Sequence, residues 1–216
     1  MARVLLGLTF STGLVDAASY LRLGHVFAAN MTGNIVLLGF GIGHAGGLPV
    51  VAPIVSLVAF LLGARIGTRL GSHTTGGEAG ALPAALMLEA GMLLTATVVA
   101  VVVSVRAGSF SADAVIALLA MGMGARNAAA RSLSVPDLTT TVLTMTLTAL
   151  AAELASFRTR GTGTARRLAA VASMLAGALV GALLQKSSLA LVLGAASAVA
   201  LITLGACRTT VSPPSA

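Results

Sequence analysis

The amino-acid sequence predicts an all-α integral membrane protein made of bilayer-crossing helices. Of its 216 residues, 57% are hydrophobic and 9% are charged, whereas a soluble domain needs roughly a quarter of charged residues to cover its surface. The apolar residues are gathered in runs of about 17 to 22, the length of a membrane-spanning helix. The 25 glycines and the abundant alanines are typical of helices that pack closely in a membrane.

The same composition argues against several other classes of protein. The net charge is +7, but the arginines are scattered between apolar runs. We therefore interpret them as loop charges that stay on the cytoplasmic side of the membrane, and not as a nucleic-acid-binding surface. A single cysteine, Cys207, allows no internal disulfide. The histidines lack other ligands at metal-site spacing, so neither a metal nor a cofactor is expected. No nucleophile elbow, Walker loop or dinucleotide fingerprint is present, and we expect no enzyme activity.

The first half of the chain contains two predicted spans and one shorter apolar run. The run that follows Arg3 resembles a signal peptide, but no small-residue cleavage site leads into a soluble domain, so it is interpreted as the first span. Gly and Pro predict a turn at residues 46–49 and a loop at residues 71–82. The apolar runs are residues 4–20, the short run 27–43 and residues 50–70.

The second half begins after the glycine-rich loop, with a span that Pro83 opens. Pro136 breaks the chain before a short, threonine-rich run, and a strongly arginine-rich loop follows that run. The polar residues 209–216 are predicted to form a disordered tail, so that residues 1–208 make one polytopic membrane domain. The apolar runs of this half are residues 84–105, 113–130, the short run 138–154, 168–184 and 189–207.

An internal repeat is predicted at a spacing of about 112 to 114 residues. Asp16 and the residues up to Tyr20 resemble the segment that starts at Asn127. The motif Gly63-x-x-x-Gly67 likewise recurs at residues 177–181. Repeat one would cover residues 1–75 and repeat two residues 112–207, with the span 84–105 between them or closing the first repeat.

Positive charge favours one topology over another. If all eight apolar runs crossed the membrane, seven Lys and Arg residues would face one side and six the other. If the runs 27–43 and 138–154 dipped in and returned, ten would share one side and three the other. The second division obeys the positive-inside rule. We therefore predict six full spans plus two re-entrant or broken helices, with inverted repeats and both termini cytoplasmic; eight full spans are the alternative.

The polar stretch of residues 16–34 is the first part of the predicted site. Polar backbone persists at membrane depth only where it is buried in protein or lines a watery cavity. On a helix, Asn30 and Asn34 would share a face, and Gly33 beside Thr32 would allow close backbone approach. With Asp16, these side chains predict a solute-binding site. The alternative is that the amides only fasten helices together.

The matching stretch of the second half supplies the rest of the predicted site. Thr141 and Thr144 belong to a hydroxyl stripe at helical spacing, and Arg126 and Asn127 precede them. Two such segments meeting near the midplane would offer dipoles and partial positive charge to a small polar or anionic solute. Interhelical hydrogen bonding is again the alternative role of the threonines.

Four ionisable side chains are expected to lie deepest in the membrane. An isolated charge there costs several kcal/mol, so we expect ion pairs. The repeat suggests Asp16 with Arg126, and Glu89 with Arg65 is the second expected pair. Either acid could instead be a proton-coupling site.

The stretches GLVDAASYLRLGHVFAANMTGNIVLLG and MGARNAAARSLSVPDLTTTVLT resemble the YoaK-like family of bacterial membrane proteins, which is defined by a domain of unknown function. This resemblance implies a small, multi-spanning bacterial protein and brings no substrate or mechanism. Related sequences tend to have Gly-Leu-Gln-Asn-Ala where this chain has Gly124-Ala-Arg-Asn-Ala128. Arg126 therefore adds a charge that relatives tend to lack.

The sequence thus predicts a small permease of the bacterial cytoplasmic membrane, with a polar midplane site between two repeats. Its expected partners are the lipid bilayer and a small polar or anionic solute, and a homo-oligomer is possible. The alternative is a non-transporting membrane protein that binds a lipid or a partner subunit, in which the polar residues serve helix packing.

Overall fold

The computed structural model describes residues 2–73, 78–132, 146–148, 151 and 162–211. Within these ranges the chain is helical and contains no strand, which confirms the all-α prediction for this part of the protein. The helices of 12 or more residues are α1 (Ala2–Arg22), α2 (Met31–Ile42), α3 (Val51–His73), α4 (Glu78–Val102), α5 (Phe110–Ser132), α6 (Thr162–Leu184) and α7 (Leu189–Val211).

Five of the described helices are long and apolar enough to cross a membrane. They contain the segments Val4–Arg22, Val51–Leu70, Gly80–Val102, Thr164–Leu184 and Leu189–Thr209. The outward faces of α3 and α6 carry large apolar side chains, such as Leu61 at 66% and Leu175 at 69% exposure. Contiguous apolar surface of this kind suits lipid rather than water.

Several helix ends differ from the predicted ones. The loop expected at residues 71–82 is shorter, because α3 continues to His73 and α4 begins at Glu78. Pro83 consequently lies inside α4 rather than at its start; in the second turn its missing N–H removes one helical bond, to the carbonyl of Ala79. At the other end of the chain α7 reaches Val211, three residues into the predicted tail.

Helices α3 and α5 run in the same direction and cross at a contact lined by glycines. A Cβ atom at Gly63 would fall on the backbone of Met121, and one at Gly67 on the backbone of Ala125. From the other side, a Cβ at Gly124 would meet the backbone of Phe60. Only glycine allows such close approach of two helix backbones.

Helices α1 and α6 cross in the same way and in a matching register. Gly177 lies against the backbone of Phe10, and Gly181 against that of Leu14. Gly177 and Gly181 follow Gly63 and Gly67 by 114 positions, while their partners Phe10 and Leu14 precede Met121 and Ala125 by 111. The two crossings therefore use glycine pairs of equal spacing at nearly the same offset along the chain.

Helices α4 and α7 pack against each other and join the two crossed pairs into one bundle. An apolar cluster at one end combines the beginnings of α1 and α4 with the ends of α5 and α7. This cluster contains Leu5, Leu82, Ala129 and Cys207. Helices α1 and α4 therefore run in one direction, and α5 and α7 run in the other.

The connection from α1 to α3 turns back into the bundle. Gly24 and His25 have positive φ angles of 114° and 56°, which reverse the chain, and the following loop residues Val26 and Ala28 are fully buried. Helix α2 then runs outward beside the first turns of α3, with Gly41 against the backbone of Pro49. This returning segment, residues 23–42, places irregular backbone next to Asp16.

Candidate functional site

Asp16 anchors the returning segment to α1. Its Oδ1 atom accepts hydrogen bonds from the backbone N–H groups of Ala28, at 3.0 Å, and Ala29, at 2.8 Å. The loop has no helical bonds of its own at this point, and unsatisfied backbone donors are costly inside a membrane. The carboxylate of Asp16 supplies the acceptor that a helix would otherwise provide, and it is buried in doing so.

Asn34 holds the same segment from the other side. Its Oδ1 accepts the N–H of Phe27 at 2.8 Å, and its Nδ2 donates to the carbonyl of Phe27 at 2.7 Å and to Ser56 Oγ at 3.0 Å. The Ser56 hydroxyl donates to the same carbonyl at 2.7 Å. Both amide hydrogens of Asn34 are therefore used, and this side chain joins the loop, α2 and α3.

The other predicted residues of this motif have local roles or face outward. Asn30 is the N-cap of α2, not a residue within it, and its side chain accepts the N–H of Gly33 at 3.2 Å. A Cβ at Gly33 would collide with the ring of Phe27, and Thr32 is exposed. Asn30 and Asn34 thus do not form the shared helical face that their spacing predicted, because the helix starts only at Met31.

A buried polar network connects α5 with α4 and α1. Arg126 Nη1 donates to Glu89 Oε1 at 2.7 Å, and Arg126 Nη2 donates to Thr12 Oγ1 at 2.6 Å. The side chains of Arg126 and Glu89 are 4% and 0% exposed. Gly122, one turn before Arg126, brings α5 close to the backbone of Glu89. The network therefore lies where three helices meet.

The expected ion pairs were wrong in their partners. Arg126 pairs with Glu89 rather than with Asp16, and Arg65 is exposed. On α3 the glycines two residues before and after Arg65 face α5, and two residues turn a helix by about 200°, so Arg65 points away. Asp16 lies one turn beyond Thr12 and forms no ion pair with a described residue, although the charge of Arg126 still attracts it through space.

Each buried acid keeps one oxygen without a partner. Asp16 Oδ2 and Glu89 Oε2 are buried and have no hydrogen-bond partner in the described part of the chain. Burying such an acceptor unpaired costs about 1–3 kcal/mol, and more when the group is charged. Both atoms are therefore prepared to accept a hydrogen bond, a proton or a cation. Ser11 Oγ is similarly unpaired but points to another face of α1.

The rest of the predicted site is only partly described. Asn127 is half-buried beside Arg126. Thr141 and Thr144 lie outside the described residues. Sequence reasoning missed Thr12 and Ser56; Thr12 was recognisable as the polar residue one turn before Asp16, whereas nothing in the sequence singled out Ser56.

Comparison with known proteins agrees with the resemblance seen in the sequence. The chain is 67% identical over 36 residues to the "UPF0700 transmembrane protein YoaK" of Bacillus subtilis (strain 168), and this stretch covers 17% of the chain and 16% of that relative. No solved structure matches the chain. A transmembrane relative and long apolar helices identify a multi-pass membrane protein. Because the family profile matches residues 4–206, the chain belongs to the family described as "Protein of unknown function (DUF1275)".

Proposed function

We propose that this protein is a small transporter that moves a polar solute across the bacterial cytoplasmic membrane through the centre of its helix bundle. The observation that carries the proposal is the pair of unpartnered buried oxygens, Asp16 Oδ2 and Glu89 Oε2. Ionisable groups inside a membrane are expensive, and they mark solute or ion pathways more often than packing contacts. The role assigned to these acids is binding, not catalysis.

The available atoms favour a solute that offers hydrogen-bond donors. Both unpartnered atoms are carboxylate oxygens, which accept N–H or O–H groups. The buried cation of the network, Arg126, already donates to Glu89 and Thr12. An anionic solute bound beside Arg126 would also meet the carboxylate of Glu89, 2.7 Å from that arginine, so a neutral or amine-bearing solute fits better than the anion suggested by the arginine alone.

The architecture we propose is six spans with two inverted repeats. The equivalent glycine crossings, α3 on α5 and α1 on α6, support two related halves. An opposite orientation of the two halves is supported by the directions of α1 and its counterpart α5, because α1 begins at the end of the bundle where α5 ends. The first re-entrant segment would be residues 23–42. Because Arg126 is buried, it is no longer counted as a loop charge. The remaining Lys and Arg residues divide nine against three between the two sides, which still predicts both termini in the cytoplasm.

Alternating access would then arise from movement of one crossed pair against the other. Each glycine-lined pair contains one helix from each half and packs backbone to backbone, so it is expected to move as a unit. Between the pairs, α1 meets α5 over a short stretch, at the Thr12–Arg126 bond. A solute near Asp16 would be exposed to one side or the other as this contact opens and closes.

Uptake into proteoliposomes tests the proposal. The panel should contain amino acids, amines, polyols and nucleosides, and the variant Asp16→Asn replaces the free carboxyl oxygen by an amide that donates but does not accept, while keeping an acceptor for Ala28 and Ala29. A hydrogen bond to a neutral group contributes about 0.5–1.5 kcal/mol, so uptake at low solute concentration should fall about 2- to 10-fold. The exposed-residue variant Thr32→Ala should transport normally. Absence of flux for every solute would contradict the proposal.

A second candidate is a non-transporting membrane protein whose polar residues fasten helices. The hydrogen bonds of Asn34 and Ser56 favour this candidate, since they join parts of the protein to one another. The contact between Thr97 Oγ1 and Ser197 Oγ at 3.3 Å joins α4 and α7 in the same manner. This candidate predicts that Asp16→Asn changes stability without any accompanying solute flux in the wild type.

A further inference from the structure

The buried charges do not balance. Among residues whose burial the structure describes, three acidic or basic side chains are buried: Asp16, Glu89 and Arg126. Fully ionised, they would leave one net negative charge at the centre of the bundle. An uncompensated charge in such surroundings is neutralised by a proton or a cation.

We propose that Asp16 binds one proton on Oδ2, and that this proton neutralises the buried group of three. Glu89 already has its cation, because Arg126 donates to it at 2.7 Å. Asp16 is the acid without an ion-pair partner among the described residues. Its Oδ1 accepts two backbone N–H groups, whereas Oδ2 is free to hold hydrogen. Proton binding on Oδ2 therefore leaves the anchor of the returning segment in place.

No other described charge faces Asp16. Arg126 on α5 attracts it through space, and Glu89 on α4 is linked to it only through that arginine. The part of α6 that crosses α1 next to Asp16 contains Gly181 and no ionisable group. On the returning segment, His25 is exposed and packs at 5.1 Å against the ring of Tyr20. Within the described chain, the occupancy of Asp16 by a proton is therefore set mainly by Arg126 and by burial.

A proton fits this site better than a metal cation. A hard cation such as Na⁺ or Ca²⁺ is held by several oxygens at once, and no group of three His, Cys, Asp or Glu side chains occurs together in the described ranges. A single unpaired oxygen on Asp16 suffices for a proton. This inference deepens the proposed function: a proton that exchanges with water when the bundle opens is a coupling ion for solute movement.

Carboxyl-carbon NMR of the detergent-solubilised full chain measures the proton directly. The sequence has three aspartates, Asp16, Asp113 and Asp137, so ¹³C-aspartate labelling gives few signals, and Asp16→Asn identifies that of Asp16. At neutral pH we expect the Asp16 carboxyl to be protonated in the wild type. In Glu89→Gln, Asp16 should lose its proton, because Arg126 then becomes its counter-charge.

The matched variant changes the net charge of the buried group in the opposite direction. Arg126→Gln removes the buried cation, and ¹³C-glutamate labelling should then show Glu89 protonated as well as Asp16. The variant Asp113→Asn, outside the buried group, should change neither signal. The wild-type spectrum decides the question even if a variant fails to fold. An ionised Asp16 at neutral pH would overturn the proposal, whether or not its signal responds to added Na⁺.

The outcome is separable from that of the uptake experiment. A protonated Asp16 in a protein that moves no solute would leave the proton site standing and remove the transport proposal. Solute flux with Asp16 ionised would support transport and reject the proton site. Transport together with proton binding predicts that an imposed pH gradient alters uptake in the wild type and not in Asp16→Asn.

Discussion

The buried pair of Arg126 and Glu89 decides how single residues in the centre of the bundle respond to mutation. Burying two charges costs as much as their attraction returns, but removing one of them leaves the other uncompensated. Arg126 also donates to the Thr12 hydroxyl, so its loss would leave that oxygen without its donor from α5 as well. Replacing one partner should therefore lower the free energy of unfolding more than replacing both together.

Arg126→Leu should destabilise the protein by about 3–5 kcal/mol, the cost of leaving one member of a buried pair alone. The double variant Glu89→Leu/Arg126→Leu should recover most of this loss. The deficit of the single variant should shrink as pH falls, because protonation removes the unpaired charge of Glu89. Unfolding curves in detergent at two pH values measure both effects; equal losses in the single and double variants would contradict the interpretation.

Asp16 makes a different residue-scale prediction, because its Oδ1 serves backbone rather than a cation. Asp16→Leu leaves the N–H groups of Ala28 and Ala29 without an acceptor, at about 1–3 kcal/mol each. Hydrogen exchange at these two amides should accelerate by about 10- to 100-fold. Asp16→Asn, which retains an acceptor, should remain close to the wild type. Unchanged exchange in Asp16→Leu would show that another group holds the loop.

At the scale of helices, glycine placement fixes which elements pack together. Gly63 on α3 lies against the backbone of α5, whereas Gly91 in α4 has open space where a Cβ would be. Both glycines lie within helices, so replacing each of them by alanine separates the effect of packing on stability from the effect of helix propensity. Alanine is favoured over glycine in a helix interior by about 1 kcal/mol when nothing else changes.

Gly63→Ala should therefore lower stability by about 1–3 kcal/mol through overpacking, while Gly91→Ala should be neutral or slightly stabilising. Gly177→Ala, at the equivalent crossing of α6 on α1, should behave like Gly63→Ala. Thermal unfolding of the three variants in one detergent provides the comparison. A stabilising Gly63→Ala would mean that α3 and α5 do not approach as closely as described.

Helices and buried polar residues were predictable from the sequence to different degrees. Hydropathy located the apolar runs that the structure describes to within a few residues, because the length of a span is set by the bilayer. The burial of Asp16 and Asn34 was also predictable, since both lie within predicted apolar runs, residues 4–20 and 27–43. The pairing of Arg126 with Glu89 was not, because neither hydropathy nor the repeat shows which face of α4 meets α5.

For the whole molecule, the arrangement of crossed pairs implies a specific topology. Residues 23–42 enter and leave at the same end of the bundle, so the loops at residues 43–50 and 103–109 should face the same side of the membrane as residues 185–188. If residues 27–43 and 138–154 both crossed instead, the first two loops would lie opposite the third. The two topologies therefore differ in the side on which two short loops are found.

Cysteine labelling in intact cells distinguishes these topologies. In a Cys207→Ala background, which removes the buried native thiol, cysteines replace the exposed residues Ala45, Ala107 and Ser187. A membrane-impermeant maleimide should label all three from outside, because the proposed six spans with cytoplasmic termini would place all three loops there. Labelling of Ser187→Cys alone would establish eight spans, since residues 45 and 107 would then face the cytoplasm. That result would also contradict the proposed inverted repeat, and with it the structural reason for one crossed pair to move against the other.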